Sequence, residues 1–416
     1  VKTLNLVAVF MITLFSVLPL SADELSAEEY LKEINRASSR VYEQTNGKTL
    51  SAKIEILEAL LLEYEDNHPV LDFLLQELGT AYSFTGQHQQ ALYAFDQHDP
   101  YSDQLNTAVK ALKTQDAVKN IADTAGKYQI VMVNEAHHVP QHRILTYRLL
   151  ESLWNQGFRY LALEALSANA ENKLPPEYVN EKAGFYTNEP LFSNLVLRAR
   201  QLGFQLVSYD YGSEVGAGTE ARERSAVKNL RTKVFNSEPD AKMLIHVGYS
   251  HINESRWLAH YLKESLKTDP LTINQTDFTE RSDVKYEPKS YTWVIDKHDF
   301  SNPVVLTKGN GEYWSPTPEE YDVTVIWPRT EYRLNRPQWA RLGKELMPVD
   351  PSWCKQFFPC TIEAYKVGNS DEVPSDRIVI HDTSVPSGIF ISESTRILKV
   401  TDAQGKLKHI KEFRID

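Results

Sequence analysis

Cysteine is nearly missing from this chain: two thiols, Cys354 and Cys360, in 416 residues. A cysteine-based zinc site is not expected, because the segment around them offers no further ligand at close spacing. No Cys-x-x-Cys-His occurs, which excludes covalently attached haem. In an oxidising compartment the pair, six residues apart, closes a small disulfide loop; two buried thiols are the alternative. Positive charge is also short. Lys plus Arg number 45 against 56 Asp plus Glu, a net charge of −11, with no long basic stretch. Nucleic acid and anionic lipid therefore drop out as expected partners. Long apolar runs are lacking apart from Leu6 to Leu20, shorter than the ~20 residues of a membrane span. With Lys2 before it and Ala22 after it, that run reads as a secretory signal peptide over residues 1–22, placing the protein in the periplasm or outside the cell. An uncleaved anchor is the competing reading, but no stable membrane span is expected.

The composition is otherwise that of an ordinary globular protein, 42% hydrophobic and 24% charged, in a chain long enough for two or three domains. Residues 23–115 read as helical, with Ile54, Leu57, Leu61 and Tyr64 at helical spacing. Within them Leu75-x2-Leu78-Gly79-x2-Tyr82, then Gly86 and Ala91-x3-Phe95, fits a tetratricopeptide pattern, in which Gly79 and Ala91 let two helices approach closely. One good repeat is too few for a free-standing solenoid. The expectation is a helical hairpin cap packed on the next domain; a groove for a protein partner is the sharper alternative.

From 116 to 300 short apolar strands alternate with amphipathic helices. The strands are 128–133, 160–163, 204–208 and 242–247, and the pattern predicts βαβ units around a mainly parallel sheet. From 301 to 416 the helical period fades. Runs at 321–326, 377–380 and 397–400, set between turns, predict an antiparallel β module, with the stretch Trp327 to Phe358 wrapping the main domain.

The informative feature is the polar residues at the strand ends. Asn134-Glu135-Ala136-His137-His138 comes after the first strand, with His142 close behind; Glu164 ends the second; Tyr209-Asp210-Tyr211 ends the third; Gly248-Tyr249-Ser250-His251 ends the fourth. Ligands of open parallel sheets bind beyond the carboxyl ends of the strands, so these side chains are expected on one rim. Imidazole and carboxylate together can hold a divalent metal that activates water, or act as a general base without one. Pro140 suits the first helical position, which places His142 in a first turn where the helix dipole keeps the ring neutral. Each residue also has a plain structural reading: Glu164 paired with Arg143, Arg222 or Arg224, Asp210 as a turn residue, His246 as a satisfied core histidine. Ser250 is a poor nucleophile, because Ile252 stands where the Gly-x-Ser-x-Gly elbow needs its last glycine.

These motifs resemble the superfamily that joins erythromycin esterases, Tiki proteases and ChaN-like haem-uptake proteins. Its members carry Gly-Glu-x-His or Gly-Glu-x-x-His after one strand, a Glu ending the next, and a later Gly-x-x-His. The similarity spans about 116–265, and Arg222-Glu-Arg224 to Asn229 is similar to a helix of the esterase branch. One departure stands out: Asn134 replaces the usual glycine, adding a side chain at the rim. The resemblance implies an α/β fold and a hydrolase acting on a small ester or peptide. Glu135 and His137 or His138 would activate water, with His251 and Glu164 binding metal or polarising and orienting. His137, His142, Glu164 and His251 are the candidate ligands for zinc, manganese or cobalt. The alternatives it implies are a haem-binding protein, with Tyr209, Tyr211 or Tyr249 near the iron, and an interaction protein whose α/β site is vestigial.

Overall fold

The computed structural model describes residues 27–413 except residues 66, 99–103, 214–217, 356 and 383. The expected leader over 1–22 lies outside the described residues.

Four helices come first: α1 (Ala27–Thr45), α2 (Leu50–Glu63), α3 (His68–Phe84) and α4 (His88–His98). Asn67 accepts from Val70 N to cap α3, and Pro69 sits in the first turn, where its missing N–H costs nothing. Helices α3 and α4 pack as a hairpin through residues 85–87. A methyl group built on Gly79 would lie 2.5 Å from the Phe95 ring, so only glycine admits that approach.

The centre of the molecule is an eight-stranded sheet. Its strands are β1 (Lys113–Asp116), β2 (Ile130–Glu135), β3 (Phe158–Leu163), β4 (Gln205–Ser208), β5 (Lys242–Gly248), β6 (Leu271–Asn274), β7 (Val304–Thr307) and β8 (Val323–Ile326), in the order β1-β7-β8-β6-β2-β5-β3-β4. All neighbours pair in parallel except those of β7, which runs against β1 and β8. Helices α5 (Ala117–Ala125), α6 (Gln141–Asn155), α7 (Pro190–Leu202), α8 (Thr219–Leu230) and α9 (Leu258–Leu266) flank the sheet, and α10 (Lys289–Lys297) precedes β7. Strand β2 is buried along its whole length, and its alternation feeds two cores. Val131 and Val133 join the α6–α7 side, Ile130 and Met132 the α8–α9 side. Gly203, at φ 102°, closes α7 and turns the chain into β4.

The expected boundary at 300 falls too early. The run around 321–326, expected in an antiparallel module, is β8 of the main sheet, parallel to β6 and antiparallel to β7. All four of its residues are buried, the signature of an interior strand, which alternation alone does not reveal. Beyond it lie two short pairings and a four-stranded sheet. Strands β9 (Tyr332–Arg333) and β10 (Arg336–Pro337) pair, as do β11 (Glu345–Pro348) and β14 (Gly388–Ile391). Strands β12 (Cys360–Tyr365), β13 (Asp376–Ile380), β15 (Ile397–Asp402) and β16 (Leu407–Glu412) form an antiparallel sheet ordered β13-β12-β15-β16. Cys354 and Cys360 form a disulfide in the core of this sheet. Trp327 does reach back into the main core, its indole N–H donating to Gln275 Oε1 at 2.9 Å. Among the described residues no helix is long and apolar enough to cross a membrane.

Candidate active site

Inserting β5 between β2 and β3 sets the carboxyl ends of β2, β5, β3 and β4 side by side. Two buried acid–base clusters form there.

The first belongs to β2 and α6. Glu135, the last residue of β2, is 1% exposed and receives Arg143 on both oxygens, from Nε to Oε2 at 2.7 Å and from Nη2 to Oε1 at 3.1 Å. His137 Nδ1 lies 3.0 Å from Oε1 and His246 Nε2 2.9 Å from Oε2. Burial alone would raise this carboxyl group; Arg143 and the two imidazoles overcome it and hold Glu135 well below the usual carboxylate range. Arg143, entirely buried, also donates to Glu189 Oε2 at 2.8 Å and to the His137 carbonyl at 2.9 Å. Glu189 in turn caps α7 through the backbone N–H groups of Leu191 and Phe192. The charges are thereby fixed by a helix on each side.

The second cluster joins β3, β4, β5 and α8. Glu164 Oε2 accepts the Gly248 N–H at 2.7 Å, and Oε1 accepts Arg222 Nη2 at 2.6 Å. Arg222 also holds Asp210 through Nη2 and Nε, at 2.6 and 3.0 Å. Burial opposes charge on Glu164, but His251 and Arg222 keep it ionised, down to about 2. His251 lies 2.8 Å by Nδ1 from Glu223 Oε1 and 3.5 Å by Nε2 from Glu164 Oε1, yet neither contact has the alignment of a hydrogen bond. Burial disfavours its imidazolium; Glu223 and Glu164 outweigh that and raise it above the ordinary histidine value.

Gly248 is where the clusters meet. A methyl group built there would sit 2.6 Å from His137 Nε2 and 3.0 Å from Glu164 Oε2, so both groups face one spot and only glycine leaves it free. The His137 ring stacks on Tyr186 at 4.0 Å and meets the edge of Tyr249 at 5.3 Å.

Glu135, His137, Glu164 and His251 thus converge as the sequence suggests, but two expected members stand apart. His138 turns toward the helical layer, stacked on Phe95 at 3.4 Å with Nδ1 3.2 Å from the Tyr249 hydroxyl. The two rings are the central residues of a tight turn closed by Val139 N–H to the Ala136 carbonyl at 2.8 Å, and one ring alone reaches the cluster. His142 is fully buried, and its Nδ1 accepts the Ala136 N–H at 3.0 Å, pinning the turn after β2. Desolvation takes its pKa down to about 3, so the ring is neutral as expected, through burial first. His251 is 3% exposed, with Nε2 3.5 Å from Glu164 Oε1, so it is buried against that carboxylate rather than open at the rim. Asn134 is not a rim side chain either. Its Nδ2 donates to the Tyr249 carbonyl and to Asn274 Oδ1, both at 3.0 Å, and its Oδ1 accepts Gln275 N at 2.8 Å. It braces Tyr249, which adopts a left-handed φ of 35° unusual for a non-glycine residue.

Sequence reasoning missed Glu189 and Glu223, and the partnership of Arg143 with Glu135. Glu223 does carry a signal, since it sits beside Arg222 in the helix that resembles the esterase branch. Glu189 before Pro190 reads only as a helix cap.

The donor set does not fit a resident divalent metal. Arg143 and Arg222 already occupy Glu135 and Glu164, His142 Nδ1 is taken by a backbone N–H, and among the described residues no three His, Cys, Asp or Glu side chains are arranged to hold an ion. Haem ligation fits no better. Tyr209 is 1% exposed inside the α8–α9 core, Lys233 lies over the Tyr211 ring, and the Tyr249 hydroxyl is engaged by His138.

No family model matches the chain, and no curated protein matches it. Two solved structures align with it. One is the type III effector HopBA1, 12% identical over 54% of this chain and 99% of that one, with a TM-score of 0.30. The other is RRSP, a MARTX toxin effector domain from Vibrio vulnificus CMCP6, 17% identical over 47% of this chain and 43% of that one, with a TM-score of 0.26. Likenesses this distant leave the chemistry to the residues themselves.

Proposed function

We propose that this protein is an exported hydrolase in which His137 withdraws a proton from water for attack on the acyl carbon of a small ester or peptide. The observation that carries the reading is the His137–Glu135 pair, set where a second carboxylate–arginine cluster faces the same spot before Gly248. Ionised Glu135 can only accept, so Nδ1 of His137 donates to it, and in the neutral ring Nε2 then keeps its lone pair. That is the geometry of a general base oriented by a carboxylate. Water attack would place the proton on Nε2 and negative charge on the carbonyl oxygen. Arg222, at the rim and tied to Glu164 and Asp210, is the cation suited to that charge. His137 would then return the proton to the leaving group. The disulfide supports export to an oxidising compartment.

We read α3 and α4 as one tetratricopeptide-like hairpin. Phe84 packs 5.2 Å from Phe185 and Phe95 lies on His138, contacts that support a cap over the rim rather than a groove for a separate protein.

Hydrolysis of 4-nitrophenyl esters and of a fluorogenic peptide library tests the proposal. His137→Ala is expected to lower kcat/KM at least ~100-fold, with circular dichroism unchanged, while His138→Ala retains most activity. Full turnover in His137→Ala moves the active centre elsewhere. Elemental analysis of the active protein is expected to show no stoichiometric zinc, manganese or cobalt.

A further inference from the structure

Glu135 stands between two imidazoles. His246, inside β5 and 1% exposed, approaches Oε2 with Nε2 at 2.9 Å, while its Nδ1 lies 2.8 Å from the hydroxyl of Thr146 on α6. An ionised carboxylate only accepts, so Nε2 of His246 carries a proton. In the neutral ring Nδ1 then accepts, and Thr146 donates. The Phe192 ring, 5.4 Å away and nearly perpendicular, fixes the plane of the His246 imidazole. Hydrogens therefore point inward along one line, from Thr146 to His246 to Glu135, and from His137 to Glu135.

A carboxylate offers about four lone-pair directions. Arg143 takes one on each oxygen, His246 takes the second on Oε2, and His137 takes the second on Oε1. With Oε2 filled, Glu135 cannot pivot to receive His137 there. We propose that His246 is a positioning residue for His137: by completing Oε2 it reserves Oε1 for His137 Nδ1–H, and so keeps Nε2 of His137 unprotonated toward Gly248. The inference rests on the reading of His137 as the base, and it deepens that reading by giving a buried strand histidine a share in the tautomer of a rim histidine.

Long-range proton–nitrogen spectra of the full chain, labelled with nitrogen-15 histidine at about pH 8.5, test it, since neutral imidazoles dominate there. The wild type is expected to show His137 as the pure Nδ1–H form and His246 as the pure Nε2–H form. His246→Phe is expected to give His137 an averaged signal between the two tautomers. His246→Gln, whose amide N–H can still reach Oε2, is expected to restore the pure form. Thr146→Val spares the ring and removes only its outer donor, and is expected to move the His137 signal the same way by less. This near-isosteric change keeps the test open if the phenylalanine variant does not fold. A wild-type His137 signal in either folded variant, Phe or Val, overturns the proposal. In ester hydrolysis kcat is expected to fall about ten-fold in His246→Phe with KM unchanged, and to recover in His246→Gln. If the wild type hydrolyses nothing while the His137 tautomer still depends on residue 246, the hydrolase reading fails and this one stands.

Discussion

The two charged clusters at the rim are built to opposite standards. Around Glu135 every contact is a well-formed hydrogen bond, Arg143 is wholly buried, and the carboxylates are tied to helix α7 or to strand ladders. Around Glu164 the arginine is buried too and its bonds are short, but His251 and Glu223 touch without hydrogen-bond alignment. The first cluster is a fixed frame. The second leaves one histidine close to two carboxylates without hydrogen-bond alignment. On the proposed reading, one ring is held still by the first while the second sits beside the shifting proton.

Removing each arginine tests that contrast most severely. Arg143→Met strands two buried carboxylates and is expected to cost about 3–5 kcal/mol in urea unfolding. Arg222→Met leaves carboxylates that are more open than those of Arg143, Glu164 at 11% and Asp210 at 10% side-chain exposure, and is expected to cost roughly 1–3 kcal/mol. Equal losses would erase the distinction between frame and loose partner. Gly248→Ala strikes where the two clusters face each other. Its methyl group would overlap Cε1 of His137, so the ring must move. Hydrolysis is expected to fall about 100-fold for a stability loss of about 1–3 kcal/mol. Activity that survives this change would show that His137 does not need its present place.

Acid should separate the buried histidines in smaller steps. Desolvation lowers His88 to about 4 and His142 to about 3, so the unfolded chain binds their protons first. Each should remove about 1.4 kcal/mol per pH unit as pH falls below ~6.5, until its native value is reached. His251 has the opposite sign. Raised in the native state by Glu223 and Glu164, it stabilises fully below ~6.5 and loses that contribution as pH rises through its native value. The melting-temperature difference from wild type should therefore change below ~6.5 for His142→Gln and above it for His251→Gln, wild type losing ground toward acid in the first and toward alkali in the second. Parallel shifts would contradict the charge states assigned to the two rings.

The parallel core and its rim are legible in the sequence because buried parallel strands are continuous apolar runs, each giving way to polar residues at its carboxyl end. Glu135, His137, Glu164 and His251 emerge from that alone. The β8 strand is not legible, because Val323-Thr-Val-Ile326 alternates as an edge or hairpin strand would, and only its neighbours β6 and β7 give it an interior place. Pairings across the sheet are hidden for the same reason: Arg143 reaches Glu135 by returning along α6, and nothing in local spacing prefers that partner to Glu164. His246 inside its strand has the look of a satisfied core histidine. It is one, with both nitrogens occupied, and its acceptor is Glu135.

The adjacency of His137 and His138 has a mechanical consequence. One ring rests against Glu135 and the next lies flat on Phe95 of α4, so the reacting group and the anchor of the overlying hairpin are one peptide link apart. On the proposed reading, any displacement of that hairpin would pull on the backbone that aims the base. A substrate that left the Phe95 contact in place would, on that reading, leave the aim of His137 undisturbed.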